Sequence, residues 1–508
     1  MFQYNLDALS SPPRLLGAHA GTLNLEAAPW RDRVVTGDIG GEVRIWNVPE
    51  GRLERTLKSL ADARQLGLDP KQRFLATGLP GSAASRDSVL LFDLAAPRTA
   101  EPMPLPGSWS WVSMLRFSPD GAWLVTFDQA YPVFWNMTGP RSIVLGRQEP
   151  PQVAVAFSPD GHLLTTSSEG VLRRWPISYA DGEDVREYRP GVKIGLWLEL
   201  DREGRAAVLT ESVPAPAKVL IVPLDGAEPV RYVLKDRVLD NQPRLDPSGR
   251  LVALSAGSNA NPKLNGVRII DLATRAERRL DNHAGGAEGC GNMPGMAVPV
   301  WLRDGRLITD GYAGLRVWDL ASGRNELLRP CRPATEAALG LLVTPDSRSV
   351  LRLDLAMGTS GASSLSVFDL ASRVTREITS HGNVLMSFAL DASGRTLVTG
   401  DRKGVIRVGP LTGEAPHLLY GHTGAVTGVA ISPDGQWIAS GGDDGTIRRW
   451  PMPDLSKPPL HTLPHNALVA ALRALTNLRA ARDPGSDTGW KIDVGPFPGW
   501  AKVPTWNP

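Results

Sequence analysis

One stretch near the end of the chain fixes what the rest can fold into. It opens at Gly421-His422, passes through Ile431-Ser432-Pro433-Asp434-Gly435 and Ile438-Ala439-Ser440-Gly441-Gly442-Asp443-Asp444-Gly445, and closes at Ile447-Arg448-Arg449-Trp450. Degraded copies stand upstream. Their closing positions are Trp46, Phe92, Trp135, Trp175, Val222, Ile270, Trp318, Phe368, Gly409 and Trp450, with gaps of 40 to 50 residues. A turn roughly 15 to 30 residues earlier keeps step, as in Phe117-Ser118-Pro119-Asp120-Gly121, Phe157-Ser158-Pro159-Asp160-Gly161 and Leu245-Asp246-Pro247-Ser248-Gly249. Two landmarks in register over ten units mean one small supersecondary element repeated, and such an element buries its apolar face only by stacking on its neighbours.

Each unit reads as strand, tight turn, strand, tight turn, strand. Proline fixes the first corner of a turn, aspartate bonds its own backbone and glycine accepts a positive φ, so Ser-Pro-Asp-Gly reverses the chain. Runs such as Trp123-Leu124-Val125-Thr126 and Val43-Arg44-Ile45-Trp46 flank these turns as strands. The Gly-His opening and Trp closing, at this period, resemble the WD-repeat (WD40) family over roughly residues 14–452. The resemblance implies an all-β propeller array of about ten blade units. It also implies a structural relay in which a His, a Ser or Thr, an Asp and the closing Trp are hydrogen-bonded within a blade. In the last unit these are His422, Ser440, Asp444 and Trp450. The first unit keeps His19, Thr36 and Trp46 but has Gly40 in place of the acid, and the ninth keeps His381 and Thr399 but has Lys403 and Gly409. The residue after the closing position is Asp or Asn in some units and proline in others (Pro176, Pro223, Pro410, Pro451); proline cannot donate to a central ladder and marks strand ends.

Composition narrows the function. A formal net charge of +2 over 508 residues, with 21% charged residues, makes no basic stripe, so nucleic acid is not implied. The two cysteines, Cys290 and Cys331, form no CxxC pair and no disulfide framework, which points to the cytoplasm. No run of eighteen apolar residues and no secretory leader pattern points to a membrane. The sequence has no HExxH, no His or Cys cluster at metal-ligand spacing, no phosphate-binding glycine loop and no GxSxG elbow, so neither metal nor cofactor is expected.

Closing the array poses two questions. A propeller blade can borrow its outer strand from the other end of the chain, and both Arg14-Leu15-Leu16 and Pro459-Leu460-His461-Thr462-Leu463-Pro464-His465 resemble such a strand. The ten units make either one wide ring, beyond the usual four to eight blades, or a seven-bladed ring from units four to ten with three further blades that this chain leaves as an incomplete second ring. Residues 1–13 form an extension. Residues 453–508 form a tail, expected to cap the array, in which Leu468, Leu472, Leu475 and Leu478 share one face of an amphipathic helix of about four turns, stopped at Asp483-Pro484-Gly485 and followed by a short strand at Trp490-Lys491-Ile492-Asp493-Val494 and an aromatic, proline-rich end. The tail resembles the ends of bacterial multidomain proteins in which a WD-repeat array follows a serine/threonine kinase or signalling NTPase domain.

What remains is recognition of proteins or peptides. Loops on a rigid scaffold carry binding, and Trp30, Trp109, Trp111, Tyr131 and Tyr312, in or near inter-strand loops, are the candidate partner-binding residues. Three readings stay open at this point. They are a non-enzymatic interaction scaffold, the sensory part of a bacterial kinase or NTPase signalling protein without its catalytic domain, and a propeller hydrolase.

Overall fold

The structure is a computed structural model. It describes the strands and turns named below and the segment 384–473 without a break. Residues 4–13, 16–22, 27–32, 60–64, 79–86, 97–99, 107–113, 128–131, 138–142, 148–152, 168–169, 176–184, 191–197, 212–217, 234–242, 257–265, 281–296, 312–313, 331–335, 357–361, 474–477, 483–489 and 495–508, with a few single positions, are not described. The described chain is nearly all β, arranged as ten antiparallel sheets and two small hairpins. It divides into two compact units, the first formed by 1–145, 178–181 and 460–508, the second by 146–177 and 182–459.

The second unit is a ring of seven sheets. The fourth to ninth each use four consecutive strands paired in order, as in Val153–Phe157, Leu163–Ser167, Leu172–Trp175 and Arg186–Tyr188. The first strands of successive sheets touch, from Val153–Phe157 through Leu198–Leu200, Arg244–Leu245, Val298–Trp301, Glu336–Val343, Leu385–Leu390 and Val426–Ile431, and the last of these touches Val153–Phe157 again. The circle is therefore closed after seven sheets. The tenth sheet supplies only Val426–Ile431, Trp437–Gly442 and Thr446–Pro451; its fourth place is taken by Ile143–Arg147, whose Gly146–Arg147 end belongs to this unit. Both sealing strands expected from the sequence are thereby corrected. Arg14–Leu15 pairs with Phe2–Gln3, and Leu460–Thr462 is a turn of 3-10 helix.

Two chemical forms of the turn between first and second strands recur, while the seventh sheet has Leu302 in that place. In Ser-Pro-Asp-Gly the serine hydroxyl accepts the amide five residues on, as Ser432 Oγ does from Trp437 N at 2.9 Å, and Gly435 sits at φ 69°. In the other form an aspartate replaces the serine and takes two amides, as Asp246 does from Arg250 N at 2.8 Å and Leu251 N at 2.7 Å. Either side chain satisfies donors that the tight turn leaves over. Pro223, Pro410 and Pro451 each end a third strand, where no ladder donor is needed.

Neighbouring sheets are joined by apolar packing and by a recurrent polar strap. A side chain on the outer strand of one sheet donates to the carbonyl of the leucine just past the third strand of the next: Tyr188 Oη to Leu224 O at 2.6 Å, Tyr232 Oη to Leu272 O at 2.8 Å, Arg376 Nη2 to Leu411 O at 2.8 Å. Arg244, on the first strand of the sixth sheet, crosses the middle of the ring. Its Nη1 lies 3.2 Å from Glu199 Oε2 on the fifth sheet, and its Nη2 donates to Leu341 O on the eighth at 3.1 Å. Trp301 on the seventh donates to the Arg244 carbonyl at 2.9 Å. Burial pushes the Glu199 carboxyl up against the opposing pull of Arg244.

The first unit holds three sheets, the first two four-stranded and the third built from Met114–Phe117, Trp123–Phe127 and Pro132–Asn136. The tail lies with this unit. Its helix, His465–Arg473, is shorter than the four turns expected, and Leu478 does not continue its face. Leu478–Arg482 is instead a strand paired with Trp490–Val494, Leu478 opposite Val494 and Arg482 opposite Trp490.

Candidate functional site

The tenth sheet carries the full set of relay residues, and their geometry follows from strand spacing. Ser440 and Trp450 lie on adjacent antiparallel strands, where Trp450 Nε1 donates to Ser440 Oγ at 2.8 Å. His422, on the connection entering the sheet, places Nε2 2.7 Å from Ser440 Oγ and Nδ1 3.0 Å from both Asp444 oxygens. Asp444 also accepts the amides of Thr446 at 2.9 Å and Thr423 at 3.0 Å. Burial works against the Asp444 charge, yet the bond to His422 and these amides hold its carboxyl well below the usual carboxylate range.

A serine, a histidine and an aspartate in this order have the distances of a hydrolytic triad. The surroundings rule out that use. Ser440 is 0% exposed, and its oxygen is held between the indole N–H and the imidazole, so no substrate carbonyl can approach it. The geometry fastens the entering connection to the body of the sheet. Asp444→Ala is expected to cost about 1.5–3 kcal/mol, the range for a hydrogen bond to a charged group. The expectation has a pH signature. A carboxyl held below its unfolded value of about 3.9 stabilises above that value and loses its contribution as pH falls toward the folded value, so wild type and variant should converge in acid denaturation titrations. Equal melting at pH 7 would remove the relay.

Other sheets keep parts of this arrangement. The hydroxyl–indole bond recurs at Thr36–Trp46 (2.8 Å), Thr165–Trp175 (2.9 Å) and Thr309–Trp318 (2.8 Å) and is long at Thr126–Trp135 (3.4 Å). The last three pairs escaped the sequence reading; their signal is a Thr nine or ten residues before the closing Trp. The turn acid of the first and ninth sheets also stands elsewhere. Asp38 Oδ1 accepts Gly40 N at 2.9 Å and Glu42 N at 3.0 Å, and Asp401 Oδ1 accepts Lys403 N at 2.8 Å and Val405 N at 2.9 Å. His19 lies outside the described residues, as do all five aromatic candidates, Trp30, Trp109, Trp111, Tyr131 and Tyr312.

Among the described residues is a buried cluster of four charges. Arg352 Nε lies 2.7 Å from Asp310 Oδ2 and 2.6 Å from Asp354 Oδ1, with Arg329 Nη2 3.7 Å from Asp310. It joins the seventh and eighth sheets and offers no open position to a substrate, with Asp310 1%, Asp354 2% and Arg352 7% exposed. An open groove of about 570 Å³ lies on the rim between Arg186–Tyr188 and the turn after Val222. Its charges are largely spent on one another: Arg173 and Arg189 each donate to Glu187 at 2.8 Å, and Arg231 donates to Pro190 O. Among the described residues no group of three or more His, Cys, Asp or Glu could hold a metal ion, and no helix is long and apolar enough to cross a membrane.

Comparison with known proteins points the same way as the sheets. The family model "WD domain, G-beta repeat" matches residues 145–175 and 413–451. The chain is similar to human WD repeat-containing protein 97 (28% identity over 178 residues, 32% of this chain and 11% of that protein). It is similar also to Protein groucho of Drosophila melanogaster (29% over 149 residues, 28% and 20%). A short stretch resembles the small ribosomal subunit protein RACK1z of Arabidopsis thaliana (46% over 54 residues, 11% and 16%). The chain thus spans a fifth or less of these relatives' lengths. It carries WD repeats in the two matched stretches, and its four-stranded antiparallel sheets are consistent with WD40 propeller blades throughout.

Proposed function

We propose that this chain is a non-enzymatic scaffold that binds a protein segment at one end of the seven-sheet ring, with no cofactor, metal, nucleic acid or membrane. The observation that carries the reading is Tyr420, 68% exposed on the connection that His422 and Asp444 fasten down. Alternating strand direction puts the turns between second and third strands and the connections between sheets at this same end. The adjoining turn carries exposed Arg402 and Lys403, and its Gly404 packs so closely on the His422 carbonyl that an added Cβ would lie 2.4 Å from it. An exposed aromatic beside two cations, on a backbone that cannot give way, is the composition of a binding hot spot for an acidic segment. The relay residues serve as its foundation. Of the relatives, RACK1z is named as a small ribosomal subunit protein, which accords with a scaffold role. The three relatives are eukaryotic, so the bacterial signalling reading of the tail draws no support from them.

The test is an array of acidic, neutral and basic peptides probed with the purified chain. Acidic peptides should bind, and Tyr420→Ala with Arg402→Glu and Lys403→Glu should weaken them at least about tenfold, one or two hot-spot contacts, without lowering the melting temperature. Equal binding by the triple variant would move the site elsewhere. Ester hydrolysis that vanishes in Ser440→Ala would replace the scaffold by an enzyme.

A further inference from the structure

His381 occupies in the ninth sheet the place of His422 in the tenth, yet its surroundings are opposite in charge. It is 0% exposed. Its Nδ1 lies 2.9 Å from Thr399 Oγ1, and its Nε2 has no hydrogen-bond partner among the described residues. The indole that fills this slot in the tenth sheet is replaced by Gly409, where an added Cβ would lie 3.4 Å from His381 Nε2 and 2.9 Å from Pro416. The acid that faces His422 is replaced by Lys403, which is exposed. The charged group packed against this connection is Arg407 on the third strand, itself paired with Asp401 at the end of the second. Arg407 lies under Gly382, and Asp401 is committed to Arg407 Nη1 at 2.7 Å and to the amides of Lys403 and Val405. On its own connection, the buried Ser380 Oγ also lacks a partner.

We propose that the connection entering the ninth sheet, residues 378–385, is an acid-released latch: protonating His381 places a cation in a closed site that offers it no carboxylate, and the connection opens to hydrate it. In the tenth sheet a carboxylate, Asp444, already stands 3.0 Å from the imidazole in the equivalent place, so that sheet holds while the ninth lets go. Burial first, and then the Arg407 charge, push the His381 value down to about 4. A histidine whose folded value lies below its unfolded value of about 6.5 gives its full stabilisation above pH 6.5 and loses it as pH falls toward 4. That gap converts into roughly a 50-fold rise in the open population between pH 7 and pH 4.5.

Hydrogen exchange by mass spectrometry on the full chain, corrected for the intrinsic pH dependence of exchange, reads this directly. Peptides covering 378–385 and 396–409 should open by that factor between pH 7 and pH 4.5, while peptides covering 422–446 stay closed. His381→Gln, which cannot titrate, should flatten the response. Lys403→Asp, which restores a carboxylate to the position it holds in the tenth sheet, should move the opening to lower pH and keeps the test available if His381→Gln does not fold. An unchanged acid response in His381→Gln, an unshifted midpoint in Lys403→Asp, or the ninth and tenth sheets opening together would each overturn the latch.

Discussion

Arg352→Ala should lower the stability of the ring by about 3–5 kcal/mol, the penalty for leaving a buried ion pair without one partner. The residue stands on Ser349–Ala356 with Asp354 two positions on, and it reaches Asp310 at the end of Leu307–Gly311 in the adjacent sheet. Both carboxylates are almost fully buried, so removing the guanidinium takes from each its close cationic partner and leaves Asp310 with Arg329 at 3.7 Å. The opposite result is expected when Arg352 and both carboxylates are replaced together. Arg352→Met with Asp310→Leu and Asp354→Leu removes the desolvation of all three groups, and such exchanges are often neutral or stabilising by about 1–4 kcal/mol. Urea titrations of the single and triple variants separate the two cases: an Arg352→Ala cost under about 1 kcal/mol would mean the cluster is solvated in the folded chain.

This cluster also shows where sequence reading stops. Val350, Arg352 and Asp354 share one face of a strand and Leu351 and Leu353 the other, so alternation alone assigns the charges to solvent. They are buried because a second sheet covers that face, which is a tertiary fact. The turns were legible for the opposite reason. Ser-Pro-Asp-Gly acts through local backbone angles and its own hydrogen bonds, and no neighbour is needed to decide it. The tenth-sheet cluster was legible because all four of its residues survive in one unit. The tail departs from its leucine spacing at Leu478. A leucine spacing that suits a helix extends on paper to the next stop signal, but Leu478–Arg482 finds a strand partner in Trp490–Val494, and pairing overrides the weak preference of Leu-Arg-Ala-Ala-Arg. The outer straps were invisible because a tyrosine or arginine on an edge strand gives no sign of which carbonyl it will meet. The choice between one wide ring and a seven-sheet ring could not be made from repeat counts either, since each unit looks alike wherever the circle closes.

The closing strand was missed on the same grounds. Ile143-Val144-Leu145-Gly146-Arg147 follows the third sheet at the distance of an ordinary fourth strand, and only the fold shows it beside Thr446–Pro451. Its removal is expected to have the second large effect. The outer edge of Thr446–Pro451 would lie bare, and an unpaired edge both weakens its sheet and recruits other chains. The ring also shares its load in a circle, so opening it at one sheet loosens the packing of Val426–Ile431 on Val153–Phe157 where the circle meets.

The seven-sheet ring of the second unit is locked by that strand, and two fragments test the lock most directly. A fragment covering 141–459 should be monomeric and unfold in one cooperative transition. A fragment covering 149–459 should associate or melt far lower, with fast amide exchange across 437–451, and a peptide of residues 141–149 added in trans should restore its protection. Identical melting of the two fragments, with 446–451 equally protected in both, would contradict the ring closure described here.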